Sequence, residues 1–239
     1  MGGDTVKLLA LDTATEACSA ALQWPGGALH RFEVAGRDHT RRLPAMVAAL
    51  LAEAGLRVSD LDGIACGVGP GSFAGVRIGI GFAKGLALAA DLPTVGISSL
   101  AMLAEAQDEP SVLTVIDARL SAVYAGAWRR QPEGWTAVLA PMLCLPADLP
   151  SCAEAGPGWA GVGTGFGPYA ETLVSAWGAP LTRMDARALP DARAALRLAQ
   201  PLFVAGQGVP ADALQPSYLR DKVALTMVEQ RAQRAASGD

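Results

Sequence analysis

Apolar positions come first in a short run, Val6 to Leu11, that stops at Asp12. A polar turn, Thr13-Ala-Thr-Glu16, follows, and a second apolar run occupies Ala17 to Leu22. Two such runs around a short polar break predict strand, turn, strand, with Asp12 where the first strand ends. The plan recurs at Val112 to Asp117, Ala118-Arg-Leu, and Ser121 to Trp128. Between the hairpins, Leu43, Met46, Val47, Leu50, Leu51 and Ala54 fall on one stripe and predict a helix over Thr40 to Ala54, with Pro44 in the opening turn where its missing N–H is tolerated. Leu61 to Cys66 fits a buried strand, Pro93 to Ile97 another, and a helix is expected from Ser98 or Ser99 to about Gln107. Beyond Pro132 the pattern weakens: Trp135 to Leu145 reads as a strand, Gly161 to Gly167 as a loop, Asp191 to Val204 as a helix, then an extended Gln215 to Arg220 and a polar, frayed tail.

The segment from Gly67 to Gly85, GVGPGSFAGVRIGIGFAKG, is charged only at Arg77 and Lys84 and predicts a tight turn opening a helix. Each glycine inside a helix costs about 1 kcal/mol relative to alanine, so Gly75, Gly79, Gly81 and Gly85 require a compensation, and close backbone approach supplies one. Gly75 and Gly79 lie four residues apart, as do Gly81 and Gly85, so each pair leaves a groove along the helix. Phe73, Val76, Ile78, Ile80, Phe82 and Leu86 point in nearly every direction, which predicts burial on more than one side: a sheet beneath and a second helix or another chain above.

The preceding loop does not match familiar phosphate binders. A lysine-bearing phosphate loop is excluded, because Val76 and Arg77 follow Gly75, and Gly67, Gly69 and Gly71 do not give G-x-G-x-x-G. G-S-F-A-G is not a nucleophile elbow, so Ser72 reads as a helix N-cap.

At 239 residues and 51% hydrophobic composition the chain can bury a sizeable core. Its net charge of −4 carries no basic footprint, so any RNA contact is expected through a partner. Cys18, Cys66, Cys144 and Cys152 form no C-x-x-C and read as reduced core thiols in a cytoplasm. No leader, membrane span or myristoylation signal is expected. With only His30 and His39, no His-rich metal triad can be assembled, and neither metal nor cofactor is expected. His39 reads as a capping or surface histidine.

Two hairpins that each place an aspartate at the end of the first strand suggest a duplicated α/β fold of the actin, sugar-kinase and heat-shock ATPase type, with ribonuclease-H-like lobes of which the second is smaller and degenerate. The expected division is an N-terminal lobe over 1–108, a C-terminal lobe over 109–220 and a polar tail over 221–239. The nucleotide site of such a fold looks worn here. The first turn lacks phosphate-cradling glycines and carries Glu16, which would repel a polyphosphate. Asp12 reads as a turn residue accepting backbone N–H bonds, and Asp117 with Arg119 as an i, i+2 pair. Residual nucleotide contacts, if retained, fall on Asp12, Thr13, Asp117, Arg119 and Gly163.

The segments LLALDTATEACSAAL, RDHTRRLPAMVAALLAEAGL, GVGPGSFAGVRIGIGFAKGLALAADLPTVGISSLAMLA, VLTVIDARLSAVYAGAW and PSYLR together resemble the TsaB (YeaZ) family, densely from about residue 7 to 128 and sparsely beyond. The resemblance implies a noncatalytic subunit that binds and activates TsaD in the machinery that places a threonylcarbamoyl group on the adenosine beside the tRNA anticodon. TsaE joins the larger complex, tRNA is reached only through it, and a homodimer replaces the heterodimer when TsaD is absent. Where TsaD-like chains carry two metal-binding histidines, this chain has Ser99 and Leu103. The implied contact surface is Leu43, Met46, Val47, Leu50, Gly75, Arg77, Gly79 and Phe82. An autonomous ATP-binding phosphotransferase or ATPase of the actin-like superfamily is the alternative, and a peptidase would need a constellation the sequence does not contain.

Overall fold

A computed structural model describes residues 6–152 and 156–220. The expected tail over 221–239 lies outside them. β1 (Leu8–Asp12) pairs antiparallel with β2 (Ala17–Trp24), which pairs antiparallel with β3 (Gly27–Val34). On its other side β1 runs parallel to β4 (Gly63–Gly69), and β4 parallel to β5 (Thr94–Ser98), giving the order β3-β2-β1-β4-β5. The second sheet holds β6 (Ser111–Arg119), β7 (Ala122–Gln131), β8 (Gly134–Cys144), β9 (Trp159–Val162) and β10 (Leu181–Asp185). Its order, β8-β7-β6-β9-β10, repeats the first in both sequence and direction.

Parallel neighbours need crossovers, and these are helical in the first half. α1 (His39–Ala54) and α2 (Phe73–Ala90) cover one face of the first sheet. Leu43, Val47, Leu50, Val76, Ile80 and Ala83 pack there with Leu9, Leu11 and Cys66. Strand side chains alternate, so Leu8 and Ala10 face the other way. They meet α5 (Ala192–Val204) through Ala195, Leu196 and Ala199. Thus α5, late in the sequence, completes the first sheet's core. α3 (Ser99–Glu105), from the first half, contributes Leu100 and Leu103 to the second sheet's core with Val112 and Ile116. α4 (Phe166–Trp177) covers that sheet's opposite face through Leu173 and Trp177, the latter edge-on to Trp159 with ring centroids 5.1 Å apart.

Glu105 locks this exchange. Its carboxylate accepts from Arg197 of α5 at 2.6 Å, from the Trp135 indole of β8 at 2.7 Å, and from Arg130 of β7 at 3.5 Å. Where α1 connects the third and fourth strands of the first sheet, the described residues of the second half hold only a 3-10 turn, Pro146–Asp148.

The two hairpins, α1, α2, α3, β5, β8 and α5 follow the sequence pattern. Four elements were not expected: β3, β9, α4 and β10. β3 is a half-exposed edge strand that carries His30, Arg31 and Glu33, which hides its alternation. β10 is short and mostly exposed. The expected Gly161 to Gly167 loop shrinks to Gly163-Thr164-Gly165, because Gly161 closes β9 against Phe166 and Leu181 and Phe166 already belongs to α4.

Candidate functional site: a cleft between the sheets and an open helical face

The turn after β1 is fastened from three sides. Asp12 Oδ1 accepts the Ala14 N–H at 3.1 Å, as expected of a turn aspartate. Thr13 Oγ1 donates to the Gly75 carbonyl at 2.7 Å, and the Ser72 N–H donates to the Ala14 carbonyl at 2.6 Å. Ser72 itself caps α2, its Oγ accepting the Gly75 N–H. His39 is buried, not at the surface: its Nε2 lies 2.9 Å from the Thr15 carbonyl and 3.1 Å from that of Ala17.

These contacts explain three of the seven glycines from Gly67 to Gly85. A Cβ on Gly71 would stand 2.1 Å from the Ala14 carbonyl oxygen, and one on Gly75 2.1 Å from that of Thr13. A Cβ on Gly79 would meet Thr13 Oγ1 at 2.6 Å. Gly75 and Gly79 therefore serve the chain's own first turn. The start of α2 receives protein carbonyl groups there.

Beside this turn a cleft of about 860 Å³ opens between the two sheets. One wall holds Glu16, Arg37 and the first turn of α2, and the other holds Ile116 to Leu120 with Thr164. At the second hairpin's tip, Asp117 accepts the Arg119 N–H at 2.8 Å and its guanidinium at 3.1 Å. Arg119, Leu120 and Ser121 all have left-handed backbones, at φ +62°, +53° and +57°. Such a run is unusual for residues with a Cβ and marks a strained tip.

Of the five candidate nucleotide contacts, the structure brings Asp117 and Arg119 to the cleft. Asp12, Thr13 and Gly163 are not among its walls. Asp12 has no solvent exposure, and its Oδ2 has no hydrogen-bond partner. That oxygen fills the space a Gly67 side chain would need, 1.8 Å from the ideal Cβ position. Burial raises the Asp12 carboxyl to about 7, Asp191 adding to the rise while the Ala14 N–H opposes it. Gly163 sits at φ +114° under the Val115 carbonyl, where only glycine fits.

The eight residues expected at a partner surface divide. Leu43, Met46, Val47 and Leu50 are buried in the chain's own core, and Gly75 and Gly79 face Thr13. Phe82 is half-buried against that core. Arg77 is exposed, its guanidinium 3.3 Å from the centroid of the Phe73 ring. With Arg77, the outward positions include Ala45, Ala48, Ala49 and Ala52 on α1 and Ala74, Gly81, Gly85 and Leu88 on α2. Nothing lies within 4 Å of a Cβ added to Gly81 or Gly85. The signal that separates the pairs was the phase of the buried stripe, since Gly81 and Gly85 fall opposite Ile80, Ala83 and Ala87. α2 is apolar and long enough to cross a bilayer by length and composition, with a mean hydropathy of 1.4, yet its inner side packs on the sheet.

Ser99 and Leu103 are both buried. Among the described residues no group of three or more His, Cys, Asp or Glu is placed to hold a metal. Burial pushes the Cys18 thiol up to about 11 and the Cys66 thiol higher than its ordinary value, so both stay protonated.

Residues 31–225 match the sequence profile of a family described as TsaD, tRNA N6-adenosine threonylcarbamoyltransferase. The chain is 38% identical over 230 residues to the tRNA threonylcarbamoyladenosine biosynthesis protein TsaB of Haemophilus influenzae, covering 91% of this chain and 95% of that protein. It is 39% identical to the TsaB of Escherichia coli, covering 92% and 96%. The solved structure of YeaZ from Pseudomonas aeruginosa is 41% identical and superposes with a TM-score of 0.82 over 90% of this chain and all of that one.

Proposed function

The chain belongs to the TsaB (YeaZ) family, and from that membership we propose that it is a noncatalytic subunit of the tRNA threonylcarbamoyladenosine machinery that binds and activates TsaD. The work of such a subunit is to present a surface, and the observation that carries this reading is the outward face of α1 and α2. Ala45, Ala48, Ala49 and Ala52 of α1 and Gly81, Gly85 and Leu88 of α2 are exposed on two helices that cover the same sheet face. Small residues at these positions, Leu88 apart, let a second pair of helices approach to backbone contact, which repays the helix propensity lost at the two open glycines. The TsaD profile over 31–225 supports the partner assignment, because two chains of one architecture can pair matching helices across a pseudo-twofold axis. The same face would serve a homodimer when TsaD is absent.

On this reading the repeated strand order represents two actin-like lobes, the second reduced where the 3-10 turn at Pro146 replaces a helix. TsaE and tRNA engage the assembled complex, in the cytoplasm. An independent ATPase is less well supported, since Asp12 and Thr13 bind the chain to itself and do not face the cleft. Gly85→Leu tests the proposal. It places bulk on the open face without touching the core, so TsaD affinity should fall at least tenfold while the thermal midpoint stays within about 2 °C of the parent. Unchanged affinity with an intact fold would remove this face from the interface.

A further inference from the structure

After α5 the chain returns to the first sheet. The backbones of Thr94 and Val209 exchange hydrogen bonds at 2.7 and 2.8 Å, and Ala211 and Leu214 are buried in the core beneath α1 and α2. From that anchor, Ser217 to Arg220 run from one wall of the cleft to the other and line it. The Ser217 N–H donates to the Val68 carbonyl at the end of β4, at 2.8 Å. The Tyr218 ring stacks on Phe73 at the start of α2, centroids 6.1 Å apart and planes at 27°. Arg77 lies over both rings, 3.3 Å from the Phe73 centroid and 5.4 Å from that of Tyr218. Leu219 then packs with the second sheet's core beside α3. Arg220 Nη2 donates to the Ala118 carbonyl at 3.2 Å and to the Arg119 carbonyl at 3.5 Å.

The segment's side chains thus grip both walls. Tyr218 holds the first turn of α2, and Leu219 and Arg220 hold the second hairpin. The hairpin tip has three consecutive left-handed residues, Arg119 to Ser121, and Arg220 binds the carbonyls of Ala118 and Arg119 where that run begins. A guanidinium suits this task, with several donors in one plane. Arg37 and Arg119, the other cations at the cleft, are on the walls themselves.

We propose that Ser217 to Arg220 form a strap that ties the two lobes together across the cleft and sets its width, so that the start of α2 and the tip of the second hairpin move as one unit. The strap is independent of which partner covers the α1–α2 face. It gives the chain a means of passing a change at the second hairpin to the helix that carries that face, through Arg220, Tyr218 and Phe73 in turn. Two walls joined only by their own hinges would open separately.

Amide hydrogen exchange on the full chain tests this, with the hairpin 117–122 and the helix start 71–76 as reporters. Arg220→Ala removes the grip on the hairpin alone. Exchange should nonetheless rise at least threefold at both reporters, with β1 and β9 unchanged. Tyr218→Ala should do the same from the opposite wall, and Tyr218→Phe, which keeps the stack, should match the parent. A rise confined to the hairpin in Arg220→Ala, or to the helix start in Tyr218→Ala, would make each contact a local cap and overturn the strap. No change at either reporter would overturn it too. Loss of protection in β1 or β9 would mean that one variant unfolds, and the other then decides.

Discussion

Asp12 is the residue whose sequence reading was most nearly complete and least sufficient. Its place at the end of a strand marked a turn aspartate, and Oδ1 does accept the Ala14 N–H. What no pattern reveals is that Oδ2 is sealed against Gly67 with no partner. A carboxyl held near 7 in the fold, against an ordinary 3.8, binds its proton more tightly folded than unfolded. Its contribution to stability is therefore fully present below about pH 4 and is lost as pH rises through 7, on the order of 4 kcal/mol in all. Asp12→Asn keeps the acceptor and removes the titration. Denaturant melts should show the parent losing stability from pH 5 to pH 8 by at least about 1 kcal/mol more than the variant; parallel profiles would contradict the buried, unpaired carboxyl. His39 teaches the same lesson, since its two carbonyl neighbours come from a turn more than twenty residues away.

At the scale of the element, α2 was legible as a helix and as an exception, but not in its orientation. Periodicity told that its glycines formed two pairs; only the stripe Val76, Ile80, Ala83, Ala87 seated on the sheet assigns one pair inward and the other outward. The pairs should respond oppositely to substitution. Gly79→Leu forces a side chain into Thr13 and should cost about 2 kcal/mol or more by urea unfolding. Gly81→Ala meets open space and should gain up to about 1 kcal/mol from helix propensity. Equal costs at the two positions would mean that the helix is rotated from this placement. The hairpins were readable because both strands of each are buried and apolar, whereas β3 and β10 lie at sheet edges where water tolerates any residue.

In the whole molecule, the repeated strand order follows from two similar hairpins, yet the exchange of α3 and α5 between sheets does not. A helical stripe announces that it will be buried and leaves unsaid against which sheet. The cleft shares this property. Its walls come from residues 14 to 220, and Arg220 bonds to residues about a hundred positions earlier. The i, i+2 contact of Asp117 with Arg119 was legible from their spacing. Of the residues expected on the α1–α2 face, Leu43, Met46, Val47, Leu50, Gly75 and Gly79 turn inward and Arg77 outward, because apolar bulk signals a core as readily as a contact. The central claim is that this face exists to bind TsaD. Light scattering of the purified chain, alone and mixed with TsaD from the same organism, measures that most directly. The account predicts a one-to-one complex at micromolar concentration that replaces any homodimer, and two unassociated proteins would contradict it.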